Sequence, residues 1–588
     1  MRLPKSAIQR LRPIAQRVWP YALLMVTLWV VRYWHSAAFG FYEDDLTHLP
    51  RAAAMSLGEV FAFAFDPARI ANLYGQGHPL HYTFIYLLTN LGWRLGGIQG
   101  PYWLGFCVQA VNLCLFYALL RRIHSQALGV LGGLAYVLYS ADTTQAYLTY
   151  SLGLHPSLTL LLLAGHAYLS GKKWLSYPLA GAILLTYETP FTVFLALPLL
   201  NLRPPRKSLR DLALHVLIVG LMLAVMIVWR KEVGDDRVGG LDLRQAVTLP
   251  IVHMIQGPLV SLGTYLYRPL QTLQSLDPEV AAVAILGFGL SSSLLYRLEL
   301  GMPPELSESL RCSREGLRHA WRSIVGWKTL WIGLPHQVRS LLRILAAGLV
   351  MLALAYPLTY TVRAYAISGR DTRVHSAGVV GAALALGSFL LLVLWLARTI
   401  RWRRWVSLVI GAWMGLLAGY GFVIQRDYQA AWLNQQRFWS NLVTQIPDAR
   451  DGTVVLVEPG PLGDVRQIGA NTWNLIYVLE QLYAFPPDWD QPPRVMRLEP
   501  DWMEYILSGD GSLRLDWRTV LTPSDVWGEI EGKDVILFLD EGGELVRQSG
   551  PMDIAGQMTS LMTAEERGEP PYPHRLLYDL LIRNTSPD

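Results

Sequence analysis

Three consecutive carboxylates, Glu43, Asp44 and Asp45, stand in the stretch "FGFYEDDLTHLP", directly after the first apolar run of a 588-residue chain. Adjacent acids repel one another, so one of them is expected to have a raised pKa, which suits a carboxylate that must take up a proton. His48 lies just beyond them, and His78 and His81 follow in "GQGHPLHY". Asp142, with Gln145, Tyr150 and His155, and then Glu188 in the tight "TYETP" turn, add polar groups between later apolar runs. The cations come further along: Arg230, Lys231, Arg268, Arg363 and the run "GRDTRVH", which holds Arg370, Arg373 and His375. A carboxylate that draws the proton from a hydroxyl makes its oxygen a better nucleophile. Arginines stabilise the charge that develops on a departing phosphate, and their planar fork can bind its oxygens bidentately. Acids from early loops and cations from late ones are the parts needed to move a glycosyl group from a lipid phosphate to a hydroxyl.

These residues must be positioned by membrane helices. The chain is 52% hydrophobic and 16% charged, with a mean hydropathy of +0.28, against roughly 25% charged residues in soluble chains. Apolar runs of about 18 residues recur along the first 425 positions, with Trp and Tyr at their ends, as a polytopic α-helical membrane protein requires. Positive charge near span ends marks the cytoplasmic side. Arg2, Lys5, Arg10, Arg12 and Arg17 place the N-terminus there, and no small-residue cleavage site follows, so a first span near 19–37 reads as an uncleaved anchor. That span delivers the three acids to the outer face. Arg121 and Arg122, Lys172 and Lys173, Arg203 with Arg206 and Lys207, the basic loop from Arg311 to Arg339, and "RTIRWRR" from Arg398 mark later returns to the cytoplasm. Spans near 101–120, 127–142, 152–170, 174–188, 190–202, 211–229, 280–298, 341–360, 377–397 and 405–425 join these marks in alternation. The segments 78–93 and 251–270 break the parity if they cross, and each contains Pro and polar groups. They are expected to lie at the outer interface or to be re-entrant. The count becomes about 11 spans, N-terminus in and C-terminus out.

Composition changes near residue 426. Residues 426–588 hold 26 Asp and Glu against 13 Lys and Arg, which leaves the first 425 residues with a net charge of +18. The expected division is therefore a membrane domain, 1–425, and an extracytoplasmic α/β domain, 426–588. A basic membrane part with an acidic soluble part argues against nucleic acid as a partner. "TVVLVEP", "RVMRLEP" and "DVILFLDE" read as short strands, with the helix-like "NTWNLIYVLEQLYAF" between them. "EPGPLGD" lacks the GxGxxG spacing and reads as an ordinary βα turn. Cys107 and Cys114 share a helix face, Cys312 sits in the basic loop, and the C-terminal part has no cysteine, so no disulfide framework is implied.

"EDD" beyond the first span, followed by "HPL" (His78, Pro79, Leu80), resembles the GT-C glycosyltransferases, most nearly the protein O-mannosyltransferase and aminoarabinose-transferase branches. Those have an acidic pair in the first outer loop, a PPL or RPL segment after it, and a further acid after the third span, where this chain has Asp142. The resemblance covers roughly residues 15–205. It implies that Asp44 is the leading acid and catalytic base, with Asp45 its partner, that His48 takes the place of a following aromatic or His, and that His78 replaces the first Pro or Arg of the tripeptide. It also implies a polyprenyl-phosphate sugar donor and a lipid, glycan or protein acceptor at the outer face of the cell membrane.

Blander readings stand beside each of these. The acids also fit a solvated helix end, Asp142 a loop acid, and Glu188 a partnered turn acid. Arg370 and Arg373 also fit anionic lipid headgroups or a salt bridge to Asp371. Asp44 with His78 and His81 would admit a divalent cation, the one cofactor the residue types suggest; no metal site is otherwise expected. A transporter or lipid translocator would carry its ionisable groups within the spans, whereas here they cluster at the outer ends. A degenerate, non-catalytic scaffold of the same fold is the remaining alternative.

Overall fold

Inside a bilayer the backbone finds no water to bond, so apolar runs of this length satisfy their N–H and C=O groups within helices. The computed structural model describes residues 5–74, 77–201, 205–233, 243–298, 334–359, 364–397, 400–458, 460–463, 475–498, 504–507, 513–516, 530–532, 534–554, 557–562 and 567–583. In chain order the helices are α1 (Lys5–Tyr33), α2 (Asp44–Ala54), α3 (Leu57–Ala64), α4 (Pro67–Ala71), α5 (Pro79–Gly96), α6 (Gln99–Ile123), α7 (Gln126–Val137), α8 (His155–Leu169), α9 (Lys173–Thr186) and α10 (Thr189–Val193). They continue as α11 (Pro205–Val233), α12 (Leu243–Gln274), α13 (Pro278–Arg297), α14 (His336–Ala353), α15 (Gly378–Leu396), α16 (Ile400–Val443), α17 (Val478–Leu482) and α18 (Leu576–Leu581). Among the described residues eight helices are long and apolar enough to cross a membrane: α6, α8 with the π-turn before it, and α11 to α16. Their number marks the chain as a helical membrane protein.

Three expected spans are shorter than the pattern implied. Both α7 and the helical segment Thr189–Leu200 have 12 residues and α9 has 14, about 18 and 21 Å at 1.5 Å per residue, against a bilayer core of about 30 Å. Conversely, the segment expected to lie at the interface, 251–270, is part of the 32-residue α12, which runs through Pro250, Pro258 and Pro269. The polar contacts of α12 are with the end of α7, the end of α14, the 366–375 segment and the middle of α16: Ser261 with Tyr139 at 2.7 Å, His253 with Thr359 at 2.9 Å, Arg268 with the carbonyl of Ile367, and Thr272 donating to the carbonyl of Leu416 at 2.9 Å. The basic loop around Cys312 lies outside the described residues, as does Arg363.

Small residues let α14 and α15 approach closely. A Cβ on Gly381 in α15 would meet the backbone of Leu352 in α14, 2.6 Å from its Cα and 2.7 Å from the carbonyl oxygen of Gly348. Backbones approach this closely only where side chains are absent. Gly381→Leu should therefore force α14 and α15 apart and cost at least about 1–3 kcal/mol, seen as a lower Tm in detergent. Gly263→Ala, whose new methyl would meet nothing within 4 Å, should leave Tm unchanged.

Beyond α7 the chain runs irregularly through residues 138–147, all buried, before the helical turn at 148–149. Non-helical backbone can be buried this way only if its polar groups find partners, and side chains from four directions supply them. Arg32 at the end of α1 donates to the carbonyl of Tyr139 at 3.3 Å, Tyr102 to that of Ala146 at 3.1 Å, and Tyr428 to that of Thr143 at 2.6 Å. The amide of Thr143 donates to Thr372 at 3.1 Å, and Asp142 accepts from the amide and hydroxyl of Thr144 at 2.9 and 2.6 Å. This accounts for an arginine in the first apolar helix.

The composition boundary at 426 falls within α16, which runs unbroken to Val443 into the C-terminal part. There β1 (Thr453–Val457), β2 (Arg494–Arg497), β3 (Asp534–Glu541) and β4 (Glu544–Arg547) form a four-stranded sheet in the order β2–β1–β3–β4, with the first three parallel and β4 antiparallel. One continuous core joins Leu46 and Leu49 of α2 and Phe438 and Trp439 of α16 to Val455, Val457 and Phe538 of the sheet. The sheet thus backs the helix that carries the acids.

Candidate functional site

The three acids are separated by one turn of backbone. Phe39 to Tyr42 are buried, and Gly40 lies against the indole of Trp432 where a Cβ would overlap the ring. Tyr42 donates to the carbonyl of Tyr428 at 2.9 Å. Glu43 then takes φ 49°, ψ −115°, a left-handed conformation that costs a non-glycine residue about 1–3 kcal/mol, and α2 begins at Asp44. Acids in the first turn of a helix face the positive end of its dipole.

Each acid consequently points to a different environment. Glu43, 2% exposed, accepts from the Tyr147 hydroxyl at 2.7 Å and from Arg370 at 3.1 Å. Asp44 receives both terminal nitrogens of Arg370, at 3.3 and 3.1 Å, and its side chain is 29% exposed. Asp45 is fully buried and accepts from the amides of Leu148 at 3.0 Å and Thr149 at 2.8 Å, pinning the irregular segment. Burial pushes Asp45 up to about 7 against the pull of those amides. Burial would raise Asp44 too, but Arg370, then Arg373 and His48, hold it below the usual carboxylate range. Within the triplet Asp45 is raised by burial, not by repulsion from its neighbours, while Arg370 holds Asp44 down.

Arg370 and Arg373 lie on the 3₁₀ turn Arg370–His375, which Gly369 enters at φ 71°. Arg373 donates to the Tyr150 hydroxyl at 2.5 Å with its guanidinium 5.3 Å above that ring, and among the described residues no carboxylate pairs with it. His48, one turn along α2, packs edge-on against Tyr82 at 5.1 Å; burial lowers its pKa, although Asp44 draws it the other way. The surface formed by Asp44, His48, Arg370 and Arg373 can accept a proton and bind an anion side by side.

The other expected residues are placed elsewhere. Asp142 closes its own turn on Thr144. Arg268, 1% exposed, pairs with Gln271 at 2.6 Å, donates to the carbonyl of Ile367 and lies 4.7 Å from the Tyr420 ring. His375 is fully buried between Tyr356 at 2.9 Å and the carbonyl of Ala366 at 2.8 Å, which fixes its tautomer, and burial lowers it to about 4. Those two residues hold the segment that presents Arg370. His78 and Glu188 form a second ionic cluster: Glu188 contacts His78 and, at 3.4 Å, Arg230, while His78 stacks on Tyr187 at 5.2 Å. Among the described residues no three of His, Cys, Asp and Glu gather as a metal site. The sequence reading did not single out Tyr147, which fixes Glu43. A tyrosine in an apolar chain resembles a membrane-belt residue, and only its contact tells it apart.

Compared with known proteins, the chain matches no family model, no curated protein and no solved structure.

Proposed function

We propose that the protein is an integral-membrane glycosyltransferase of the GT-C type. It takes a sugar from a polyprenyl-phosphate-linked donor and transfers it to a hydroxyl of an acceptor lipid, glycan or protein. The single observation that carries this reading is the most open carboxylate of the acidic triplet, Asp44, paired with Arg370 and in the field of Arg373, which has no carboxylate partner among the described residues. In the reaction the acceptor oxygen bonds to the sugar's anomeric carbon as the carbon–oxygen bond to phosphate breaks. The electron pair leaves with the lipid phosphate toward Arg370 and Arg373, and the hydroxyl proton goes to Asp44. Asp45 and Asp142 serve as positioning groups that hold the 138–149 segment around the site. The C-terminal domain and the acids lie on the extracytoplasmic side of the cell membrane and the N-terminus in the cytoplasm. With the N-terminus inside and the C-terminal domain outside, the chain crosses an odd number of times, about 11.

The test is transfer from a labelled polyprenyl-phosphate sugar by the full-length protein in vesicles; no transfer with hexose or pentose donors would sink the reading. Arg373→Gln should raise KM for the donor by about 10–100-fold with Tm unchanged, since a hydrogen bond to a charged group contributes about 1.5–3 kcal/mol. A competing reading, a non-catalytic scaffold, is favoured by Arg370 bridging Glu43 and Asp44 as a structural clamp. In that case Arg373→Gln changes no lipid-phosphate binding and the wild type transfers nothing.

A further inference from the structure

We propose that Asp44 and the phosphate of the incoming lipid compete for Arg370, so that the carboxylate is masked until the phosphate arrives. This rests on the reading that Arg370 and Arg373 receive a phosphate.

The two acids on Arg370 are held unequally. Glu43 is nearly inaccessible and tied from behind by Tyr147, while Asp44 has 29% of its side chain exposed and Arg370 as its one described ion-pair partner. Of the two, Asp44 is therefore the partner that can swing away. Arg373 offers an anion its first cation, because its described hydrogen bond goes to a neutral hydroxyl. A phosphate bridging Arg373 and Arg370 would bring its oxygens to the nitrogens that Asp44 occupies at 3.1 and 3.3 Å. Two anions brought that close repel each other strongly in a partly buried site, so both cannot keep Arg370. When phosphate takes the guanidinium, the Asp44 carboxylate is left with its ion-pair partner gone, and its basicity rises where the acceptor hydroxyl must lose a proton. Without phosphate, the same carboxylate stays paired with Arg370 and is a poor proton acceptor. Linkage makes the effect reciprocal: removing the Asp44 charge must tighten phosphate binding by the factor that phosphate binding weakens the Asp44–Arg370 pair.

The experiment measures binding of polyprenyl phosphate to full-length wild type, Asp44→Asn, Asp44→Ser and Arg370→Gln in nanodiscs, with Tm confirming that each variant is folded. Both Asp44 variants should bind about tenfold more tightly than wild type, and Arg370→Gln should bind more weakly. Unchanged or weaker binding in a folded Asp44 variant overturns the proposal. Inorganic phosphate and phosphatidylglycerol serve as parallel ligands. A gain with polyprenyl phosphate, with or without inorganic phosphate, supports competition with the lipid-borne phosphate; a gain confined to phosphatidylglycerol identifies a headgroup site and overturns it. Tightening without any sugar transfer by the wild type would leave the competition standing and remove the enzyme reading instead.

Discussion

Asp44→Asn should lower sugar transfer by about 10²–10⁴-fold, the range by which a positioned general base contributes, with expression and membrane insertion intact. The substitution keeps the shape of the side chain and removes only its ability to take the proton. The fold should tolerate it because the lost ion pair is partly solvated, the kind that contributes about 0–1 kcal/mol, and because Arg370 retains Glu43 at 3.1 Å. The kinetic signature is a split: kcat collapses while KM for the donor falls, since the competing anion on Arg370 has gone. In the wild type the acid limb of kcat/KM should lie below about pH 4, because Arg370 holds the Asp44 carboxylate under its ordinary value in the free protein. The acid limb of kcat should lie higher, since phosphate has by then engaged Arg370. Full activity in Asp44→Asn would remove Asp44 from the role of base.

The residues of this site were legible in the sequence as types and places, but their directions were not. Charge near span ends located "EDD" and "GRDTRVH" at the same end of the helices, and Arg370 does meet Glu43 and Asp44 across 327 and 326 positions. The backbone turn at Glu43 left no trace in composition, yet it decides that neighbouring acids face a tyrosine, an arginine and a pair of amides. Arg268 and His375 read as ligand groups because sequence reports charge without reporting burial; both hold loop carbonyls. Hydropathy overstated α7, because residues 138–142 are apolar enough to continue a helix but are drawn into irregular backbone by Arg32, Tyr428 and Thr372, far away in the chain. The strands at Thr453, Arg494 and Asp534 were readable from their β-branched and aliphatic runs. Their parallel order was not, because it depends on which crossovers pack against α2 and α16.

Asp45→Ala should be the most destabilising change at the acidic triplet, although no reacting group would be touched. It strands the buried amides of Leu148 and Thr149, each costing about 1–3 kcal/mol without a partner, and frees the segment that shapes the site, so Tm should fall sharply and transfer with it. Asp45→Asn separates the hydrogen-bonding role from the charge. Burial raises Asp45 to about 7 from 3.8. The folded protein therefore prefers this group protonated, and the stability it contributes is complete below about pH 4 and lost as pH rises through about 7. The full swing is on the order of 4 kcal/mol. Asparagine carries no charge at any pH and shows no such loss. The Tm deficit of Asp45→Asn relative to wild type should thus be larger at pH 5 than at pH 8. A deficit that is constant across that window, or that widens as pH rises, would mean that the amides of Leu148 and Thr149 hold Asp45 as a carboxylate throughout, and that its burial is compensated by hydrogen bonds rather than by a proton.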